Sequence, residues 1–242
     1  MKHFVRGGGP EPVRRPRTET DLRGAVLWAR RGVAAPPRSN SEVIMGKVIT
    51  QLSMSLDGFV ASPTDGVEHL FDWYSNGPVR IETPGTGGPA AFLVSEASAD
   101  HVREMIDGSA ALVVGRRLFD HTGGWGGSHP LDAPVFVVTH SVPDGWPRED
   151  TPFTFVTDGV ESAIAQASAV AGDKAVGVAG PNIAQQAINA GLVDEIRVDL
   201  VPVLLGAGIR FFDNLSGAPV KLDNPRIIEG DRVTHLYYRV VR

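Results

Sequence analysis

The segment Lys174–Gly206, KAVGVAGPNIAQQAINAGLVDEIRVDLVPVLLG, contains a complete strand–helix–strand unit. KAVGVAG is a short apolar run typical of a buried strand. PNIAQQAINAGL follows with Pro181 in its first turn and Gly191 at its end, which are the favoured start and stop residues of a helix. DEIRVDLVPVLLG then predicts a long second strand. A helix between two such strands predicts a parallel pair, so this segment sets the fold class.

The same alternation extends towards the N-terminus. KVITQLSMSL, ALVVG, APVFVVTH and FTFVTDG predict strands, and ASADHVREMIDG and VESAIAQASAVAG predict helices. In the first helix we expect Ser98 as the N-cap and Gly108 as the stop. In the second, the predicted buried face consists of Val160, Ile164, Ala167 and Val170.

Two late runs, VKLDNPRIIEG and RVTHLYYRVVR, predict an antiparallel strand pair that closes the chain. The expected fold is therefore α/β, with three layers. A mixed, mostly parallel central sheet carries helices on both faces and ends in the antiparallel C-terminal pair.

The first 44 residues differ in composition from the rest, being rich in arginine, glycine and proline with little periodicity. Three interpretations remain open: a flexible basic tail, a non-native extension upstream of the true start, or an arginine-rich targeting peptide. Glu11, Glu19 and Asp21 count against the targeting peptide. We expect residues 1–44 to be a disordered or non-native extension and residues 45–242 to form one domain.

Charge and composition exclude several classes of function. The 242-residue chain has 28 acidic and 23 basic residues, a net charge of -5, which gives no reason to expect nucleic acid or an anionic membrane as a partner. It contains no cysteine, so disulfides and thiolate chemistry are excluded and a cytoplasmic location is expected. The histidines lack the spacing of metal motifs, so no metal is predicted.

The turn after ALVVG is the first candidate site. Gly115 ends the strand, and Arg116 and Arg117 follow at once. Backbone amides and two guanidinium groups at such a turn can hold a phosphate. A surface turn whose arginines pair with Asp120 or another carboxylate is the equal alternative.

Two further strand ends carry polar or flexible residues. Thr139, His140 and Ser141 follow one strand, while Gly180 and Pro181 open the helix after another. Ordinary turns explain each of them when it is taken alone. The carboxyl ends of parallel strands meet at one edge of a sheet, however, where ligands collect. We therefore expect these turns to lie near Gly115.

The first strand offers a third candidate. Ser53, Ser55 and Asp57 occupy alternate positions and share one side if the strand stays extended. A carboxyl group there can orient a substrate or relay a proton. The competing interpretation is an ordinary Asp-Gly turn.

The order SLDGFVA, VVGRRLFD, VFVVTH and VAGPNIAQQAINAGLVDEIRVDLVPVLLGAGIRFFD resembles the dihydrofolate reductase-like family. It is most similar to the branch containing the reductase domain of the bifunctional riboflavin-biosynthesis deaminase-reductase. The resemblance covers residues 45–242. No deaminase zinc motif precedes it, so the chain resembles a stand-alone member.

The resemblance implies NADPH as cofactor and hydride transfer to a small heterocycle of the pyrimidine or pterin type, as in 5-amino-6-(5-phosphoribosylamino)uracil reduction. The alternative is a non-catalytic NADP-binding protein. By match, Asp57 and Ser55 are the catalytic candidates. The implied cofactor-binding residues are Ser53, Gly115, Arg116, Arg117, Thr139, His140, Ser141, Gly180, Pro181, Asn182 and Ile183. Here Ala179-Gly180-Pro181 stands where the family has a glycine pair.

Two further expectations concern the surroundings of the site. The long glycine-rich region 62–102 is expected to act as a lid over the substrate. The apolar LVPVLLG run and the late strand pair are expected to form a homodimer interface, unless these strands are simply central in the sheet.

Overall fold

A computed structural model describes residues 46–242. The prediction for residues 1–44 lies outside this range. The strands are β1 (Val48–Ser55), β2 (Phe59–Ala61), β3 (Val79–Glu82), β4 (Ala91–Val94), β5 (Ser109–Gly115), β6 (Val135–Val138), β7 (Phe153–Val156), β8 (Ala175–Ala179), β9 (Glu195–Val201), β10 (Ile209–Arg210), β11 (Arg226–Gly230) and β12 (Val233–Arg239). The helices are α1 (Glu96–Gly108), α2 (Arg116–His121), α3 (Val160–Ala171) and α4 (Pro181–Asn189).

Eight strands form the central sheet, in the order β11-β12-β9-β1-β8-β5-β6-β7. Every pairing from β9 to β7 is parallel, while β12 runs antiparallel to β9 and β11 runs antiparallel to β12. The predicted mixed sheet with an antiparallel C-terminal pair is therefore confirmed. β8 and β9, the strands of the opening segment, lie on either side of β1.

Strand β5 shows how both faces of the sheet are buried. Ala111 and Val113 pack into the core beneath α3 and α4, whereas Leu112 and Val114 pack into a second core with Phe119 of α2. Successive side chains of a strand point to opposite faces, so one apolar run supplies two cores. A third core joins α1 to β4 and the end of β9.

Two details of the helix predictions are wrong. The N-cap of α1 is Ser95, whose Oγ accepts a hydrogen bond from the Ser98 amide at 3.3 Å. Ser98 lies inside the helix and is buried. In α3, Val170 is 57% exposed, and Ala171 takes the buried position instead. A step of four residues from Ala167 keeps the helical face, whereas a step of three turns Val170 towards solvent.

The region predicted as a lid contains regular structure. Short 3₁₀ turns span Glu68–Leu70 and Asp72–Ser75, and β3 pairs with β4 as a hairpin. β2 pairs separately with β10 beside the end of β1. In residues 46–242 no helix has both the length and the apolarity that crossing a membrane requires.

Candidate active site

A cleft of about 1550 Å³ opens at the carboxyl ends of β5, β6 and β8. Three separate turns that the sequence singled out meet there, as the parallel sheet requires. All ten of the predicted cofactor residues in these turns line it: Gly115, Arg116, Arg117, Thr139, His140, Ser141, Gly180, Pro181, Asn182 and Ile183. We call this part of the cleft the nucleotide end.

Glycines let the backbones at the nucleotide end approach one another. A Cβ on Gly115 would lie 3.0 Å from Ile183 Cγ1, so a side chain there would require the Ile183 side chain to shift by a few tenths of an ångström. Gly180 has φ +95°, a conformation that a side chain would strain. No side chain within the described residues caps the start of α4, which leaves the Asn182 and Ile183 amides facing the cleft. This cradle fits a pyrophosphate, although Pro181 contributes no amide.

Both arginines of the GRR turn line the cleft and are also ion-paired. Arg116 Nε donates to both carboxylate oxygens of Asp120 at 2.7 and 2.9 Å, and its Nη1 donates to the Ser141 carbonyl at 3.1 Å. Arg117 pairs with Asp65 at 2.8 Å. Features of both interpretations of this turn are therefore present. Arg117 and Asp65 also join α2 to the loop after β2.

The serine and aspartate candidates of the first strand lie outside the cleft lining. Ser53 Oγ accepts a hydrogen bond from Trp73 Nε1 at 3.1 Å and is buried. Ser55 is buried as well and donates to Asp57 at 2.6 Å. Their predicted roles in binding and catalysis stay predictions.

The Asp57 carboxylate ties two turns together. It accepts hydrogen bonds from the amides of Leu205 and Gly206, at 3.2 and 2.7 Å, in the loop between β9 and β10. The hydrogen bond from Ser55 lowers the pKa of Asp57; partial burial opposes this shift and the two amides add to it. At neutral pH this carboxyl group is therefore ionised and suited to hold the loop rather than to donate a proton.

The other end of the cleft is apolar, and the sequence did not predict it. We call it the aromatic recess; it is lined by Phe71, Tyr74, Phe92, Met105, Trp125 and Leu131. Ring centroids of Tyr74 and Phe92 lie 4.6 Å apart, and the Tyr74 hydroxyl contacts Met105 Sδ at 3.9 Å. The recess draws on α1, β4, the second 3₁₀ turn of the lid region with Phe71 before it, and the segment after α2.

Trp125 sits at the centre of GGWGG, the 3₁₀ segment Gly123–Gly127. Gly124, Trp125 and Gly126 have φ values of 60°, 49° and 67°, so three successive residues adopt the left-handed conformation. Such a conformation is unfavourable for a tryptophan. The neighbouring glycines allow the turn, and the turn directs the indole towards the cleft.

His129 lies beside Trp125, with ring centroids 4.7 Å apart. Burial lowers the pKa of His129 to about 4. Its Nδ1 accepts a hydrogen bond from the Leu131 amide at 3.1 Å, as only a neutral ring can. The imidazole is therefore uncharged at neutral pH.

His129 should make stability depend on pH. The unfolded chain protonates this residue near pH 6.5, whereas the folded chain does so only near pH 4. As pH falls from 7 to 5, the unfolded state gains the proton first, and the free energy of unfolding should drop by up to about 2 kcal/mol. Urea unfolding at both pH values of the unaltered chain and of His129→Gln measures this. Equal drops in both proteins would contradict the expectation.

A buried polar network lies behind the recess. His101 Nε2 and His235 Nδ1 both contact Asp199 Oδ1, at 2.9 and 2.7 Å, and the two imidazoles stack with centroids 3.8 Å apart. Gln51 donates to Asp199 Oδ2 at 3.1 Å and also contacts Met105, which lines the recess. These side chains come from α1, β1, β9 and β12, so no local motif revealed them.

The network satisfies its own polar atoms. His235 Nε2 meets Ser98 Oγ at 2.9 Å, and His101 Nδ1 meets the Tyr237 hydroxyl. Burial opposes ionisation of Asp199, but the hydrogen bonds from both histidines outweigh it and hold its pKa far below the usual range. Burial lowers the pKa of His235, and the bond to Asp199 only partly offsets this. One carboxylate thus contacts both imidazoles.

The His101, Asp199 and His235 ligand atoms lie within 4.8 Å of one another, a spacing that a metal ion could also use. Each nitrogen and the shared oxygen already has a hydrogen-bond partner at 2.5–2.9 Å. We therefore describe the trio as a hydrogen-bonded part of the core.

Comparisons with known proteins agree with this fold. The family model of the RibD C-terminal domain matches residues 46–231. A Shewanella sp. PV-4 protein assigned provisionally to riboflavin biosynthesis is similar in structure, with a TM-score of 0.59, 22% identity, and coverage of 81% of this chain and 99% of that chain. Dihydrofolate reductase from Enterococcus faecalis, solved with NADP(H), has a TM-score of 0.50, 13% identity, and coverage of 82% and 98%.

A third similar structure is the Thermotoga maritima diaminohydroxyphosphoribosylaminopyrimidine deaminase/5-amino-6-(5-phosphoribosylamino)uracil reductase. Its TM-score is 0.53 at 15% identity, with coverage of 81% of this chain and 57% of that one. These likenesses establish a dihydrofolate reductase-like fold, and the family model spans most of the domain. The chain therefore belongs to the RibD C-terminal domain family.

Proposed function

We propose that this chain is an NADPH-dependent reductase that transfers a hydride to a small heterocyclic acceptor of the pyrimidine or pterin type. One observation carries the proposal: the GRR turn, the THS strand end and the start of α4 all line one cleft. These are the segments through which the resemblance implied NADPH binding. The E. faecalis and T. maritima proteins, named for NADP(H) binding and for a reductase, support the same conclusion.

Different residues at the nucleotide end would bind different parts of NADPH. Arg116 and Arg117 would hold the 2′-phosphate, since a guanidinium group can form paired hydrogen bonds to phosphate oxygens. The Asn182 and Ile183 amides at the start of α4 would hold the pyrophosphate. NADPH, when bound, supplies the hydride. The aromatic recess, continuous with the nucleotide end, would then receive the acceptor beside the nicotinamide.

The catalytic role of Asp57 remains part of the proposal in a restricted form. Its ionised carboxylate holds the loop of Leu205 and Gly206. Through that loop it would orient the residues that follow, including Ile209 of the cleft lining. Ser55 would fix Asp57 in turn, through the bond at 2.6 Å. We therefore treat both as positioning residues.

Titration of the purified full chain with NADPH and NADH tests the proposal. We expect tighter binding of NADPH, because only NADPH carries the phosphate that the arginines recognise. Oxidation of bound NADPH by members of a pyrimidine and pterin panel should follow. Absence of NADPH binding at micromolar concentrations would refute the proposal.

A non-catalytic NADP-binding protein is the second candidate. Pro181 removes one amide from the start of α4, and the polar residues of the first strand lie outside the cleft lining. Both features are compatible with a fold that keeps the nucleotide and has lost the chemistry. NADPH binding without oxidation by any acceptor would favour this candidate.

We also propose a homodimer in a cytoplasmic location. The location rests on the absence of cysteine. β9 lies inside the sheet, so the late strand pair is the better candidate for the interface. On its edge strand β11, Ile227 is 56% exposed. Light scattering after size exclusion measures the mass, and a monomer would remove this part of the proposal.

A further inference from the structure

The lining of the aromatic recess limits what it can bind. Aromatic rings and a thioether dominate its walls, with Phe71 and Tyr74 stacked at 5.5 Å and Tyr74 close to Phe92. Its polar groups include the Tyr74 hydroxyl and the uncharged imidazole of His129, which lies beside Trp125. Apolar walls with a few uncharged hydrogen-bonding groups suit a flat, neutral molecule.

Cations of the cleft lie elsewhere. Within the part of the chain that the structure describes, the lining residues numbered 67–105 and 118–131 include no lysine or arginine. Arg116 and Arg117 belong to the nucleotide end. Arg210 of β10 also lines the cleft, where its guanidinium group stands over the Phe59 ring at 4.6 Å, and its backbone carbonyl accepts a hydrogen bond from Gln185 of α4. A phosphate group in the recess would therefore be desolvated without a fixed cation.

The GGWGG turn gives the recess a fixed stacking surface. Trp125 is held in the left-handed conformation, and the loop of β3 and β4 packs against it: a Cβ on Gly87 would lie 1.6 Å from the Ser128 carbonyl oxygen and 2.6 Å from Trp125 Cβ. The Gly85 amide donates a hydrogen bond to the Pro130 carbonyl oxygen at 2.9 Å, which holds the same loop in place. An indole held this way offers its face without losing freedom on binding.

We propose that the acceptor of this reductase is a flat, uncharged ring without a phosphate group, bound against the Trp125 indole. This inference rests on the proposed function and narrows it. It separates this chain from the T. maritima protein, whose named substrate carries a phosphoribosyl group.

A matched pair of ligands tests the inference in the full chain saturated with NADP⁺. 1-Naphthol and 1-naphthyl phosphate share one flat ring system and differ by the phosphate. Calorimetric titration should show the naphthol binding at least tenfold more tightly. Equal binding, or tighter binding of the phosphate, would overturn the inference. NADP⁺ affinity is measured separately. A chain that does not bind NADP⁺ would contradict the proposed function, and the two naphthyl ligands can then be compared in the absence of nucleotide.

Variants locate the ligand. Trp125→Ala should weaken naphthol binding at least tenfold, while Trp125→Phe, which keeps a stacking face, should stay within threefold. NADP⁺ affinity of both variants reports whether the nucleotide end is intact. If Trp125→Ala does not fold, Leu131→Arg replaces it: a cation in the recess should raise naphthyl phosphate affinity at least fivefold. Unchanged affinity in the folded variant would overturn the placement.

Discussion

The Arg116→Ala/Arg117→Ala double variant is expected to bind NADPH about 100-fold more weakly than the unaltered chain, with NADH affinity changed less than about threefold. Both guanidinium groups line the nucleotide end. The two nucleotides differ only in the 2′-phosphate, so a loss confined to NADPH assigns the arginines to that group.

The size of this effect follows from two opposing contributions. A hydrogen bond to a charged group contributes roughly 1.5–3 kcal/mol. Each arginine must first loosen its present bond, Arg116 to Asp120 and Arg117 to Asp65. Exposed ion pairs of this kind contribute roughly 0.2–1 kcal/mol, which is less than a hydrogen bond to the charged phosphate contributes. Each arginine is therefore expected to exchange its carboxylate partner for the phosphate. The difference for two arginines is about 3 kcal/mol, which corresponds to about 100-fold.

Competitive titration of both nucleotides at two salt concentrations measures the effect. Asp65→Asn is the companion variant, because it frees Arg117 without removing it; NADPH should then bind a few fold more tightly. Arg103→Ala is the control, since Arg103 pairs with Asp100 on α1 and does not line the cleft. If the double variant still prefers NADPH, the result would support the interpretation of the GRR turn as an ordinary surface turn.

Asp199→Ala should lower the free energy of unfolding by about 3–5 kcal/mol. The carboxylate is 2% exposed and accepts hydrogen bonds from His101, His235 and Gln51. Its removal leaves three donors buried without an acceptor, and each such group costs about 1–3 kcal/mol. The free energy of unfolding of a typical domain is only about 5–15 kcal/mol, so the variant is expected to be marginally stable.

Urea unfolding at pH 7 measures the loss. The free energy of unfolding of Asp199→Asn should lie between those of the unaltered chain and Asp199→Ala. The Asn amide keeps one acceptor oxygen but adds an NH₂ donor beside the buried donors already present. Asp100→Ala is the matched control: its side chain is 92% exposed and pairs only with Arg103 on the same helix. Its effect should stay below about 0.5 kcal/mol. A similarly small change in Asp199→Ala would show that the network is dispensable.

The network also predicts a direction for acid unfolding. The pKa of Asp199 is lowered in the folded chain, so its contribution is present above the ordinary carboxyl pKa and is lost as pH falls below it. The lowered pKa of His235 reduces stability at a higher pH than Asp199 does, because the unfolded chain takes up the histidine proton near pH 6.5. Both shifts make the protein less stable in acid.

The nucleotide end was predictable because its signals are local. Gly115 and the arginines, Thr139 to Ser141, and Gly180 to Ile183 each follow a strand that the apolar pattern identifies. Parallel strands then bring their carboxyl ends together whatever the details of the loops. The sheet was predictable for the same reason, since each strand–helix–strand unit permits few arrangements.

The recess and the network were not predictable, because distant segments build them. The sheet brings together His101 and Tyr237, which are 136 positions apart along the chain, and His235 and Ser98, which are 137 positions apart. Their spacing along the chain carries no signal. The left-handed turn of Trp125 could be suspected from the glycines of GGWGG, but not the direction of its indole.

Strand β1 lies in the interior of the sheet, between β8 and β9. Its Thr50 side chain bonds to Val178, 128 residues later, and Gln51 bonds to Asp199 after 148. A ribosome that adds about 10 residues per second leaves VITQLSMS without either neighbour for on the order of 10 s. The domain therefore completes its sheet only near the end of synthesis, and slower translation would prolong the interval in which this apolar strand can pair with another nascent chain.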